Sequence, residues 1–172
     1  MAIGVLAFTS CDKVPKIENF GVKHTFEHEL EMDVKDSDPD KYAVDFVIDV
    51  KSDKDFADNI SKISGYTVKS LNYRIAEFKG DAATSATGVV QFYNETTPIG
   101  KPIDMGLISF QAMVNSGNSI EIPLSEELSV LIQDHLLNSH YIKVALFGAV
   151  SNKPLYAKTV VSLEIEALVK VD

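Results

Sequence analysis

Two histidines with a glutamate between them come closest to a metal-binding motif in this sequence. His24, Glu27 and His28 read H-x-x-E-H, the order of ligands in inverted zinc proteases. On a helix, residues four apart share a face, so both imidazoles would reach one zinc ion. On a strand the same two residues lie about 13 Å apart, at about 3.3 Å per residue. Polar and apolar residues alternate around the motif, which favours the strand and argues against a metalloprotease.

The second candidate is an acidic turn that follows the first alternating segment. Asp36, Asp38 and Asp40 have the spacing that opens an EF-hand calcium loop. That loop requires glycine at its sixth position and glutamate at its twelfth, where this sequence has Lys41 and Val47. The EF-hand pattern therefore fails, and a solvated acidic turn is the default interpretation. A looser calcium site, formed by the three aspartates with nearby carbonyls, is the alternative.

No candidate nucleophile has the neighbours that catalysis requires. The chain has one cysteine, Cys11, and no serine lies in a G-x-S-x-G elbow. Asp134, His135 and His140 cluster near the end of a predicted helix, where adjacent positions do not face one another. The sequence also has no phosphate-binding glycine loop and no cysteine cluster. We therefore predict that the chain is not an enzyme and has no cofactor.

The most informative position is that of Cys11. Residues 1–10 are uncharged, mostly apolar and end on the small residues Thr9 and Ser10, while a polar stretch begins at Asp12. Small residues beside the scissile bond are what signal peptidases require. The segment resembles the lipobox of bacterial lipoproteins, in which the cysteine is acylated and becomes the new N-terminus. The resemblance implies lipid attachment at Cys11; the alternative is a cytosolic protein whose first strand holds a buried cysteine.

The composition narrows the range of partners. Asp and Glu number 25 against 16 Lys and Arg, which gives a formal net charge of -9. Such a surface repels backbone phosphates, so nucleic acid is a poor partner. The sequence lacks the run of about eighteen apolar residues that a membrane-spanning helix needs. We expect contact with the membrane through a lipid at Cys11, and another envelope protein as the partner.

Alternating segments account for most of the remaining sequence. Residues 20–34 and 42–50 each place apolar side chains on one face and polar ones on the other, which predicts two strands that pair antiparallel. Further strands are predicted over 68–78, 88–94, 107–114, 119–123, 141–150 and 156–171. The last of these is long and regular, and could lie at the edge of a sheet.

Two short helices are predicted between the strands. The first begins at a Ser52 cap, ends at Gly65 and has three apolar residues at helical spacing: Phe56, Ile60 and Ile63. The second runs from Ser125 to about Asn138 and buries a stripe that consists of Leu128, Leu131, Ile132 and His135.

These elements predict a mainly β fold, an antiparallel immunoglobulin-like β-sandwich of about eight strands with two short capping helices. Residues 1–10 are assigned to a signal-like segment, 11–19 to a tether and 20–172 to the sandwich domain. Regularly spaced turns between short strands favour a sandwich over β-α-β units.

The stretch from Asp55 to Gly80, and the closing motif of a strand with Gly148 followed by Pro154 and a long alternating strand, resemble uncharacterised bacterial cell-envelope lipoproteins. That resemblance implies no reaction. We therefore predict a non-enzymatic envelope lipoprotein, anchored on the periplasmic side or at the cell surface, that serves as an accessory or binding subunit of a larger membrane-associated assembly. The alternatives are a calcium-dependent adhesin or metal-dependent enzyme with a loop-built site, and a structural spacer that associates with itself.

Overall fold

Eight strands form two antiparallel four-stranded sheets in the computed structural model, which describes residues 19–171. The strands are β1 (Asn19–Val34), β2 (Lys41–Asp49), β3 (Ile63–Lys79), β4 (Ser85–Asn94), β5 (Thr97–Ser109), β6 (Ile120–Glu121), β7 (Tyr141–Val150) and β8 (Leu155–Lys170). The helices are α1 (Lys54–Asn59), α2 (Phe110–Ser116) and α3 (Glu126–Ser139). The predicted mainly β, antiparallel sandwich is confirmed.

The strands pair in a nested order. Sheet A has the order β1-β8-β3-β6 and sheet B the order β2-β7-β4-β5. The β4–β5 hairpin lies at the centre of the chain, and the pairs β3–β6, β2–β7 and β1–β8 enclose it successively. A long hairpin rolled up in this way is a jelly roll, whereas immunoglobulin domains place their first two strands in one sheet. The fold is therefore a sandwich with jelly-roll strand order.

Two predicted strand placements were wrong. The first two strands were predicted to pair, but β1 pairs with β8 and β2 with β7, so the turn at 35–40 crosses between the sheets. The strand over 156–171 was predicted at an edge, but β8 lies inside sheet A, between β1 and β3. Alternation identifies a strand and its wet face, but it contains no information about the strand's neighbours.

The first predicted helix is shorter than expected. The Asp49 side chain accepts from the Lys51 amide and starts a 3-10 turn over Val50–Ser52, so Asp53 rather than Ser52 caps α1. Gly65 does not end this helix and belongs to β3.

Of the other two helices, α2 was not predicted and α3 was. The strand predicted over 107–114 ends at Ser109, and α2 follows until Gly117 stops it with a φ of +64°. The predicted α3 is confirmed, with Ser125 as its cap. Its buried stripe contains Leu136, while Leu131 is 40% exposed.

The core lies between the two sheets and under the helices. Alternate residues of each strand point into it, and its largest fully buried side chains include Phe56, Phe92 and Phe110. Each contributes on the order of 2–3 kcal/mol through removal of apolar surface from water. Among the described residues, no helix is long and apolar enough to cross a membrane.

Candidate functional site

Cys11, the predicted lipidation site, lies outside the described residues, as do the signal-like segment 1–10 and most of the predicted tether 11–19. The first described residue, Asn19, begins β1 and pairs with Lys170 at the end of β8. The chain therefore enters the sandwich at the end where α1 and the start of β3 lie. The acidic turn at 35–40 lies at the opposite end of β1.

The acidic turn is held together by protein groups. The Lys35 amide donates to Asp38 Oδ2 at 2.8 Å, and the Asp38 amide donates to the Lys35 carbonyl at 3.0 Å. The Lys153 ammonium lies 2.9 Å from Asp40 Oδ1 and also donates to the Asp38 carbonyl. Within 19–171, no three His, Cys, Asp or Glu side chains are grouped so that they could hold a metal ion. Calcium binding by Asp36, Asp38 and Asp40 stays a prediction, and this arrangement gives it no support.

His24 joins β1 to the first turn of α1. Its Nδ1 lies 2.8 Å from Asp53 Oδ2, while Asp53 Oδ1 accepts from the Phe56 amide at 3.0 Å. The imidazole packs edge-on against Phe26, with ring centroids 4.5 Å apart. One carboxylate thus caps the helix and fastens it to sheet A.

His28 makes a separate connection between the two sheets. Its Nε2 donates to the Val47 carbonyl on β2 at 3.1 Å, and its ring packs against Phe46 with centroids 4.5 Å apart. The H-x-x-E-H sequence therefore lies in a strand, as the alternation predicts, and its two histidines contact different elements. Their role in the described structure is to join β1 to the segment that begins with β2.

A serine–histidine contact at the end of α3 has the appearance of a nucleophile and its base. Ser139 Oγ lies 3.0 Å from His135 Nε2, but also 2.8 Å from the His135 carbonyl and 2.9 Å from the Tyr141 carbonyl. Carbonyls only accept, so one of them takes the single hydroxyl proton and Nε2–H donates to Oγ. An imidazole in that tautomer cannot accept the serine proton. The pair therefore closes the helix end and does not form a catalytic dyad.

The space between the sheets is too small for an organic ligand. A cavity of about 20 Å³ lies near the ends of β2 and β5, between Tyr42, Met105 and Phe110. A volume of roughly 10–15 Å³ on this measure holds one water molecule. This cavity therefore has room for about one water molecule and none for an organic ligand, whereas larger depressions lie on the outside of the described sandwich.

The outer face of sheet A is wet and charged. Glu27, Glu29, Glu31 and Asp33 follow one another along the solvent side of β1. The Lys158 ammonium of β8 lies 3.2 Å from Glu29 Oε2 and 3.8 Å from Glu31 Oε1. Further ion pairs on this side join Lys69 to Glu166 and Lys79 to Glu77. This is the surface that a solvated sheet presents.

The outer face of sheet B is apolar over its middle. In β7 the outward side chains after Lys143 are small or aromatic, and Phe147 lies in register between Ala43 of β2 and Val89 of β4. We call this surface the apolar outer face and define it by Ala43, Val89, Leu107, Ala145, Phe147 and Ala149. Leu107 is 76% exposed, which is the largest exposure among the exposed apolar side chains of the described residues. Contiguous exposed apolar surface is typical of interaction sites.

The apolar outer face was missed by the reading of the sequence, although a signal was present. Between Tyr141 and Val150 the only charged residue is Lys143. Apolar residues at both parities predict a strand that is covered on both faces, in contrast to the alternating strands of sheet A.

Comparison with known proteins assigns no family to the chain. No family model and no curated protein match it. Among solved structures it is similar to a chain of Desmodium yellow mottle tymovirus, at 14% identity over 100% of this chain and 95% of that chain, with a TM-score of 0.39. It is also similar to a chain of turnip yellow mosaic virus, at 12% identity over 99% and 92% of the two chains, with a TM-score of 0.43. Similarity at these scores carries no argument about function.

Proposed function

We propose that the chain is a non-enzymatic lipoprotein of the bacterial cell envelope, anchored through Cys11, that serves as an accessory or binding subunit of a larger membrane-associated assembly. The observation that carries the proposal is the position of Cys11, between an uncharged apolar segment and a polar stretch that leads into the sandwich. A rigid sandwich that follows a lipidated cysteine is suited to presenting loops and faces to another envelope protein.

The point where β1 enters the sandwich gives the proposal an orientation. Asn19 lies at the same end as α1 and Lys170, so an anchor at Cys11 holds that end towards the membrane. The loops at 35–40, 80–84 and 151–154 lie at the other end and face away from the membrane. Loops at such a position are where a binding subunit makes its contacts.

Metabolic labelling with palmitate tests the anchor. Wild-type chain expressed in a bacterial host should take up the label, and the Cys11→Ala variant should take up none, because the thiol is the attachment point. Globomycin, which blocks the lipoprotein signal peptidase, should leave the precursor uncut. Wild-type chain that stays unlabelled while a control lipoprotein of the host is labelled would overturn the proposal.

The apolar outer face favours a second candidate, a structural spacer that associates with itself. A spacer needs a self-complementary surface, whereas an accessory subunit needs a surface for a different protein. Purification from detergent-solubilised membranes separates the two candidates. A partner recovered at fixed stoichiometry supports the accessory role, and recovery of this chain alone supports the spacer.

A further inference from the structure

We propose that two copies of the chain stack through the apolar outer face, sheet B against sheet B, about a two-fold axis. This inference goes beyond the proposed function and does not depend on lipidation. The outer faces of the two sheets differ. Sheet A exposes a network of ion pairs to solvent, whereas sheet B exposes alanines, Val89, Phe147 and Leu107.

The shape of the face suits a second copy of itself. A shallow depression of about 520 Å³ lies over β2, β7 and β4. Its lining is mostly apolar but includes one charged residue, and consists of Lys41, Tyr42, Ala43, Thr87, Phe147, Gly148 and Ala149. Leu107 projects from β5 on the same face, next to Thr87 in register. A two-fold interface brings the same surface of both copies together, so that surface must be complementary to itself. A projection beside a recess meets this condition, because Leu107 of each copy can enter the depression of the other.

The distribution of charge also points to a second copy. The formal net charge is -9, yet the charges around the apolar outer face are mixed in sign. Lys143 forms an ion pair with Asp45, Lys41 lines the depression, and Asp104 lies in register with Val89. The acidic row on β1 lies on the outer face of sheet A. Two copies stacked through sheet B therefore keep their acidic rows apart and directed into solvent, where salt screens them. A basic partner would be attracted to sheet A instead.

The area of the outer face of sheet B gives the size of the proposed interface between two copies. The whole outer face of sheet B, with four strands about 4.8 Å apart and about ten residues long at about 3.3 Å per residue, covers roughly 600 Å². The apolar outer face is one part of this area, and charged side chains such as Asp45, Lys143 and Asp104 occupy another. Two copies would bury roughly 1,200 Å², which is the lower limit for a specific interface. We therefore expect a monomer–dimer equilibrium with a dissociation constant in about the micromolar range.

Sedimentation velocity tests the proposal on full-length chain with the Cys11→Ala substitution, which removes the lipid. This chain should sediment as a mixture of monomer and dimer that shifts with concentration. Leu107→Glu should raise the dissociation constant at least about tenfold, because the interface would bury an unpaired carboxylate. Thr25→Glu adds the same charge on the outer face of sheet A and should leave the constant unchanged. Both positions are exposed, and circular dichroism checks that the variants fold.

A chain that remains monomeric at about 1 mM overturns the proposal, since any dimer would then be weaker than that. Association that Leu107→Glu and Thr25→Glu weaken equally, or that neither weakens, overturns it as well. Loss of lipid labelling would contradict the proposed function and leave these sedimentation results unaffected, so the two failures are distinguishable.

Cysteine crosslinking locates the contact. Ala43 on β2 and Leu107 on β5 are separated by two strands in one copy, which is about 14 Å at about 4.8 Å per strand. A disulfide needs Cα atoms within about 7 Å, so a bond between cysteines at these positions must join two copies. Ala43→Cys combined with Leu107→Cys, in the Cys11→Ala chain, should give a covalent dimer on oxidation. Thr25→Cys combined with Leu107→Cys is the matched control, and equal dimer from both pairs would contradict the stacking.

Discussion

At the scale of single residues, His140 combines an unusual backbone with a partly buried ring. It ends α3 with a φ of +65°, its amide donates to the Leu136 carbonyl at 2.9 Å, and its carbonyl accepts from the Val50 amide at 2.9 Å. Its Nδ1 is buried and has no hydrogen-bond partner among the described residues. Burial, and secondarily the Lys51 ammonium, hold the pKa of His140 below its usual 6.5, while Asp49 acts in the opposite direction.

We predict that His140 weakens the fold as the solution becomes acidic. A histidine whose pKa is lower in the folded state binds fewer protons there than when unfolded, so stability is lost as pH falls through 6.5 and below. His140→Asn keeps a residue that tolerates positive φ and removes the titration. Urea unfolding between about pH 7.5 and about pH 5.5 should show a smaller loss in this variant than in wild type. Equal losses in the two chains would show that His140 does not contribute. Burial also lowers the pKa of His135, but His135 is present in both chains, so its effect cancels in this comparison.

Our second prediction for a single residue concerns Gly148, which lies close to the neighbouring strand β4. A Cβ at this position would lie 1.9 Å from the Thr87 carbonyl oxygen and 2.9 Å from Tyr42 Oη, and the first of these belongs to a neighbouring strand that cannot move away. Gly148→Ala should therefore reduce the free energy of unfolding by about 3 kcal/mol. Gly65→Ala is the control, because a Cβ there meets nothing within 4 Å, and its effect should stay within about 0.5 kcal/mol. Denaturant unfolding measures both, and similar values would contradict the close approach of the two strands.

At the scale of elements, the contact between β1 and α1 depends on one carboxylate. Asp53 caps the helix through the Phe56 amide and pairs with His24 on the strand. Asp53→Ala removes both interactions and should cost about 1–2 kcal/mol. Asp53→Asn keeps an oxygen for the cap but loses the charge, so it should cost less, and the difference between Asp53→Asn and wild type reports the interaction with His24. Thermal unfolding of the two variants checks the order, and equal losses would place the whole effect in the contact with His24 and none in the cap.

How far the sequence predicts the elements depends on how local their signals are. The alternation from Phe20 to Val34 defines β1 because burial on one face of a strand recurs every second residue. The cap at Ser125 and the apolar spacing that follows define α3 for the same reason. The short apolar run from Phe110 to Val114 fits either element, and only Gly117, as a helix-ending residue, pointed to a helix. Strand pairing could not be read at all, because partners such as Asn19 and Lys170 lie at opposite ends of the chain.

The candidate sites, like the elements, could be predicted only where the signal in the sequence was local. The alternation around His24 and His28 correctly placed both residues on one strand, while their contacts with Asp53 and Val47 involve other elements of the chain. The apolar outer face combines residues from β2, β4, β5 and β7, so no single segment displays it. Only the two-sided apolar character of β7 gave a local indication of it.

At the scale of the whole molecule, the sandwich has two unlike faces and two unlike ends. The anchor proposed at Cys11 leads into the end that contains Asn19, the acidic turn lies at the other end, and the apolar outer face lies along one side. Stacking through sheet B leaves the outer face of sheet A free in both copies. The loops at 35–40, 80–84 and 151–154 also stay accessible to another envelope protein. The accessory role and self-association are therefore compatible in one molecule.

The mass of the mature N-terminal peptide is the most direct test of lipid anchoring through Cys11. Chain extracted from bacterial membranes and digested with trypsin should yield a peptide that begins at Cys11 and has the added mass of a diacylglyceryl group. The same digest of Cys11→Ala should lack it. Recovery of Cys11 as an unmodified internal residue, still joined to Ser10, would contradict lipid anchoring and with it the proposed place of this protein in the envelope.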